Sequence, residues 1–243
     1  MSGGVGPTAS DISLPKEEEH QHTHPVSLKP ATSTPTRGGV LSFRHLNCLA
    51  VMIIMSASGM VSLGDFVFVI FSFIYIYFLS RVAFSQPNPA SGSRVFDPRN
   101  KIFRLYVSFA AIIGLFAPIA YICEGIFEGD VEGIKAAVPH VFLLASQVFM
   151  EGIAFSDRFT IPIKVFVPVF YNSRRLFTLV DWLRAEIGKA EDGYQGSAKR
   201  LLVGRVLAVA NMALWSFNLF GFLLPFYLPR AFRKYYVGSK VKD

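Results

Sequence analysis

The chain has 243 residues, 52% of them hydrophobic and 17% charged, with a mean hydropathy of +0.41. Soluble domains carry nearer a quarter charged residues, so the composition leans toward the membrane class. The net charge of +7 lies mostly between apolar runs, which favours topology and anionic lipid head groups over nucleic acid as its reason. Cys48 and Cys123 both fall inside apolar runs. That excludes a disulfide framework, and no Cys/His spacing suggests zinc or another metal.

Residues 1–40 carry Pro7, Pro15, Pro25, Pro30 and Pro35 among many Ser and Thr. Such a segment buries too little surface to offset its ordering entropy and reads as a disordered tail. It shows no apolar stretch of signal-peptide length, so the first membrane helix is expected to direct insertion. His20, His22 and His24 alternate within it and read as solvated low complexity rather than a metal site.

The first apolar run, Leu46 to Ser62, has no charged residue but is short for a span, which needs about 20 residues. Leu63-Gly64-Asp65 follows, with Gly64 as the break and Asp65 as an N-cap for the next helix. The second run, Phe66 to Phe84, is rich in alternating aromatics. A lone strand would leave its backbone groups unpaired in lipid, so a helix is predicted, and the two runs form a tight hairpin.

A basic loop leads to the third run, Leu105 to Phe127, where Ala110 and Gly114 offer a small-residue packing face and Pro118 a kink. The acidic loop Glu128, Asp130, Glu132 precedes the fourth run, Val138 to Phe155. A short run, Phe159 to Phe170, is interrupted by Pro162, Lys164 and Pro168 and reads as re-entrant or interfacial. In residues 171–189, Leu176, Leu179, Val180, Leu183 and Ile187 recur at helical spacing, which predicts an amphipathic helix on the membrane surface. The last run, Leu201 to Leu228, is expected to end at Pro225 and Pro229, before a basic aromatic tail.

The fold class is therefore all-α: a polytopic membrane helix bundle of about five transmembrane helices, four and six being the alternatives, plus an amphipathic interfacial helix and a disordered N-terminal tail. Its divisions are a tail at 1–40, a multi-span membrane domain at 41–236 and a basic C-terminal tail at 237–243. The basic loop from Arg81 to Arg104 marks the cytosolic side. Five spans would then leave the basic C-terminus on the opposite side, a conflict that a crossing at Phe159–Phe170, a re-entrant run, or failure of the rule at the last loop would remove.

The stretches SASGMVSLGDFVFVIFSFIYIYFLSRVAF, GDVEGIKAAVPHVFLLASQVFMEGIAFSDRF, IPIKVFVPVFYNSRRLFTLVDWLRAEI and GRVLAVANMALWSFNLFGFLLPFYLP resemble a plant family of membrane proteins known only through a domain of unknown function. The resemblance covers residues 41 to 236 and implies a green-plant source and a multi-span membrane location. It supplies no catalytic residue, substrate or cofactor.

Polar residues inside the apolar runs are the remaining functional pointers. At about 100° per residue, His140, Gln147 and Glu151 fall on one face of the fourth helix. They read either as a proton or cation path or as interhelical hydrogen bonds. On the last helix, Gly204, Ala208, Asn211, Trp215 and Asn218 form a stripe suited to close packing or to lining a substrate path. Arg205 is a candidate partner for Glu151, or a residue that snorkels to the interface. No nucleophile elbow, zinc-protease helix, phosphate loop or dinucleotide fingerprint occurs, so the chain reads as a non-enzyme without cofactor. The sequence reading is a structural or scaffolding protein of the plant endoplasmic reticulum or another endomembrane, a plastid membrane being possible. A small transporter or channel is the alternative. Its expected partners are the bilayer and anionic lipid head groups. Lys240-Val-Lys242-Asp243 resembles a dilysine retrieval signal shifted by one position.

Overall fold

The computed structural model describes residues 43–84, 101–154, 159–189 and 197–240, and every element among them is helical. The predicted disordered tail at 1–40, most of the basic loop and the linker at 191–196 lie outside the described residues. The elements are α1 (Phe43–Ala57), α2 (Leu63–Val82), α3 (Lys101–Ala111), α4 (Ala117–Glu128), α5 (Val131–Ala154), α6 (Ile161–Gly188), α7 (Ala198–Ser216) and α8 (Leu228–Lys240). One π-helical segment, Ile112–Phe116, joins α3 to α4, and another, Phe217–Tyr227, joins α7 to α8.

α1 and α2 follow one another across a short turn, but the expected tight hairpin does not form: α1 packs on α5, and α2 on α6 and α5. The turn itself is also built differently. The positive-φ glycine is Gly59 rather than Gly64, and the N-cap of α2 is Ser62 rather than Asp65. Ser62 Oγ accepts from the Asp65 N–H at 3.1 Å and donates to the Asp65 carboxylate at 2.7 Å. Asp65 is thus the third helical residue of a capping-box arrangement, not the cap itself. Its second carboxylate oxygen takes a 2.9 Å bond from Arg174 Nε and ties the turn to α6.

α5 and α6 form the central pair. Met150 and Ala154 pack with Ile163 and Val167 at one end, while Lys189 reaches Asp130 at 3.1 Å at the other. The two helices therefore run antiparallel over their full length. α1, α2 and α8 cover one flank, where Ile76, Phe84, Tyr171 and Tyr235 share a cluster. α3, α4 and α7 cover the other, around Tyr121, Trp182, Ala208 and Trp215.

Two expectations need correction here. Phe159–Phe170 is not a separate re-entrant piece, and 171–189 is not a surface helix. They are the two halves of one 28-residue helix, α6. Pro162 falls in its first turn, where the N–H would have no intrahelical partner anyway, and Pro168 is accommodated further in. The side of α6 turned inward carries Tyr171, Asn172, Arg175, Thr178, Leu179, Trp182 and Glu186, whereas Ile187 is half exposed. Polar side chains and leucines share the inward side: Leu179 is buried, and Leu176 and Leu183 pack against the same cluster.

The last run also continues past its prolines. Pro225 lies inside the second π segment and Pro229 in the first turn of α8. The wider π turn tolerates a residue that cannot donate to the ladder. The aromatic tail is therefore helical as far as Lys240, and its Tyr235 is buried edge-on to Phe84, 5.5 Å between centroids.

Four helical stretches are long and apolar enough to cross a membrane: Leu63–Val82, Lys101–Glu128, Val131–Ala154 and Ala198–Val237. α1 is apolar but too short, with 15 residues. α6 is long enough and too polar.

Candidate functional site

A seam of polar side chains runs between the central helices, in two groups. The first surrounds Trp215. Pro118 has no N–H, so the carbonyl four residues earlier, Gly114, loses its α-helical donor. The one five residues earlier, Ile113, cannot be served by it in a π turn either. Both freed carbonyls are taken by side chains from other helices. His140 Nε2 lies 2.9 Å from the Gly114 oxygen, and Asn211 Nδ2 lies 3.0 Å from the Ile113 oxygen. A carbonyl only accepts, so His140 carries its proton on Nε2. The kink predicted at Pro118 is thus the place where α5 and α7 are fastened to α3–α4.

Trp215 Nε1 donates to Asn211 Oδ1 at 3.2 Å, and its main-chain oxygen accepts from Asn172 Nδ2 at 3.2 Å. Its ring stands 4.1 Å from the Arg175 guanidinium and 6.2 Å from the His140 ring. Gly114 makes this possible, since a Cβ there would come within 2.7 Å of the indole. Arg175 is fully buried. Its Nη2 donates to Gln147 Oε1 at 2.6 Å, and Gln147 Nε2 donates to Glu151 Oε1 at 2.8 Å. The charge of Arg175 therefore meets that of Glu151 through an amide relay. Arg175 Nε and Nη1, His140 Nδ1 and Asn172 Oδ1 have no hydrogen-bond partner among the described residues.

The second group is ionic and sits where α4 turns into α5. Gly129 takes a left-handed conformation, and the Asp130 N–H returns to the Gly125 carbonyl at 3.0 Å, closing a Schellman-type turn. Asp130 then caps α5, with Oδ1 accepting from the Gly133 N–H at 2.9 Å. Its Oδ2 receives Arg200 Nε at 2.7 Å and Lys189 Nζ at 3.1 Å. Lys189 also reaches Glu186 Oε1 at 3.2 Å, where the Tyr121 hydroxyl donates at 2.7 Å. The Arg200 guanidinium covers the Tyr121 ring at 4.2 Å. Gly125, Gly133 and Gly204 wall this cluster, and a Cβ at any of them would strike its charged or hydroxyl groups. Burial alone would raise the Asp130 carboxyl. The Gly133 N–H, Arg200 and Lys189 outweigh it and hold the group below its ordinary range.

The structure distributes the sequence candidates as follows. His140 and Gln147 are buried in the first group, and Glu151 is half-buried at its edge. Asn211 belongs to it through Trp215. Asn218 stands apart, accepting from the Tyr106 hydroxyl at 3.0 Å across α3. The Arg205–Glu151 pairing does not form as expected, because Arg205 lies at the opposite end of the bundle. It donates to the Glu186 carbonyl at 2.9 Å and the Ile187 carbonyl at 3.3 Å, capping the last turn of α6. Sequence reasoning missed Asn172, Arg175, Glu186 and Lys189, although their spacings of 3, 11 and 3 residues keep them on one helical face. That periodicity was the available signal. Among the described residues no group of three His, Cys, Asp or Glu side chains could hold a metal, and Cys48 and Cys123 form no disulfide.

Residues 41–236 match the family described as domain of unknown function (DUF7733). The chain belongs to that family. The matched span contains both polar groups. No protein of curated function matches the chain, and no solved structure does.

Proposed function

We propose that the chain is a multi-pass protein of a plant endomembrane, the endoplasmic reticulum first among them, that serves as a structural scaffold without enzymatic activity. One observation supports this reading most directly: the polar side chains of α5 and α7 engage groups on neighbouring helices. His140 holds Gly114, Asn211 holds Ile113 and Gln147 holds Arg175. Such bonds fix a bundle in lipid, where apolar packing alone does not distinguish helix from tail. The outer helices support the membrane placement. Only 17% of the most apolar window is buried in Leu63–Val82 and in Lys101–Glu128, against 61% in α5. The exposed residues of α2 include Phe66, Val67, Ile70, Phe71, Phe73, Ile74, Tyr77 and Phe78, a surface suited to lipid.

On this reading α6 also crosses, shielded by its neighbours. The connection from α6 to α7 then lies on the side opposite the basic loop that follows α2, and α8 returns to the side of that loop. The expected result is a protein that stays in the membrane pellet after alkaline carbonate, bends vesicles when reconstituted, and alters organelle shape when removed from plant cells. Unchanged vesicles together with unchanged organelles would refute the scaffold.

A second reading, a small transporter or channel, is favoured by the bare atoms of Arg175, His140 and Asn172 around Trp215. Two donors face two acceptors there, a set that water or a small polar solute could satisfy. It predicts that Glu151→Gln abolishes pH-dependent flux in proteoliposomes. Flux unaffected by the substitution, or absent from the native chain, would sink it.

A further inference from the structure

A cavity of about 540 Å³ opens between the α1–α2 turn, the first turns of α5 and the last half of α6. The α1–α2 turn borders the cavity with Pro139 of α5 and Arg174 of α6, and Asp65 ties that turn to Arg174. Beyond the turn, α5 and α6 continue to Asp130 and Lys189, and the notch beside them is polar. Its walls carry three cationic side chains, Lys135, Arg174 and Lys189, and three acidic ones, Asp65, Glu132 and Asp181.

Some of these charges are already engaged. Asp65 holds Arg174 through Nε, and Lys189 is shared by Asp130 and Glu186. Others are available. Glu132 and Lys135 are exposed and belong to no ion pair among the described residues. The terminal nitrogens of Arg174 carry no bond among them either, and Asp181 makes only a loose, solvated pair with Arg184 at 3.6 Å. The notch thus offers an anion both Lys135 and Arg174, and offers a cation both Glu132 and Asp181. Met60, Val61, Ala136 and Pro139 supply apolar wall between them.

We propose that this notch binds a phosphate–ammonium zwitterion, the head group of a phospholipid such as phosphatidylethanolamine drawn in beside the α1–α2 turn. The assignment rests on the membrane reading above. A purely anionic group would meet Glu132 and Asp181 unneutralised, and a purely cationic one Lys135 and Arg174, so the mixed charge of the wall selects a ligand bearing both signs. The turn is at one end of α2, an apolar helix long enough to cross a membrane, so the notch beside it falls near the boundary between acyl chains and head groups.

The full chain, purified from mixed vesicles of equal phosphatidylethanolamine and phosphatidylglycerol, tests this by native mass spectrometry of retained lipid. Phosphatidylethanolamine should be retained at least threefold over phosphatidylglycerol. Glu132→Lys should reverse that preference and Lys135→Glu should abolish retention of both lipids, each without changing the melting temperature, because both side chains are exposed. Free phosphoethanolamine should displace the lipid only at far higher concentration. Displacement at equal concentration would overturn the lipid assignment in favour of the soluble compound. Equal retention of the two lipids by the native chain, or ratios unmoved by both substitutions, would overturn the site. Release of the chain by alkaline carbonate would instead refute the membrane reading, a separate outcome read on a separate assay.

Discussion

Asp130→Asn is expected to lower the melting temperature of the detergent-solubilised protein by on the order of 10 °C. The carboxylate neutralises both Arg200 and Lys189 while capping α5, and the two cations are nearly inaccessible. Breaking a buried ion pair costs about 3–5 kcal/mol. Lys189 keeps Glu186, and Arg200 keeps its longer contacts to Glu124 and Glu128, so the lower end of that range applies, which for a chain of this size corresponds to that shift. Asp181→Asn provides the contrast, since its pair with Arg184 is largely exposed and should change nothing measurable. The pH dependence has a defined sign. The folded-state pKa of Asp130 is depressed below the ordinary 3.8, so its contribution is complete above that value. It is lost as the pH falls through the lower folded-state pKa. The gap between native and Asp130→Asn melting temperatures should therefore be constant at neutral pH and narrow only under strong acid. A gap that instead closed between pH 8 and 6 would show that another group is responsible.

Trp215→Ala should be comparably damaging, about 3–5 kcal/mol for truncating a buried aromatic. Four helical segments meet at this side chain: the Gly114 turn, His140 of α5, Arg175 of α6 and its own α7. Its loss would expose the Arg175 guanidinium to a void and leave Asn211 Oδ1 without its donor. Trp215→Phe keeps the ring and removes the N–H, so only about 1 kcal/mol should disappear. Thermal unfolding of the three proteins distinguishes the contributions. Equal loss in the two variants would show that the hydrogen bond, not the ring, holds the junction.

The sequence carried much of the outer architecture and less of the centre. Runs such as Phe66 to Phe84 announce a lipid-facing helix because the surroundings demand apolar residues on nearly every side. α6 hid for the opposite reason. Enclosed by α5 and α7, it presents charge inward, so hydropathy recorded a short apolar piece and then an apparent surface helix. The stripe His140, Gln147, Glu151 was legible from 3.6-residue spacing alone, as was the close packing at Gly114. What each residue reaches was not legible, because the partners lie far along the chain: Gly114 is 26 residues from His140, and Arg175 is 28 from Gln147. Arg205 shows the limit most clearly. Opposite charge suggested Glu151, but α7 begins at the end of the bundle where α6 finishes, and two unpaired carbonyls were nearer.

The inward polarity of α6 bears on how the chain is made. At the centre of an isolated membrane helix each arginine or lysine opposes insertion by about 2.5–3.5 kcal/mol, and α6 buries Lys164 and Arg175. On the multi-pass reading proposed above, this helix alone would stay in water. α5 comes just before it with Gln147 and Glu151 ready to receive Arg175, and α7 follows with Trp215. On that reading α6 is delivered between two hosts, and its entry into lipid would be a joint act of three neighbours.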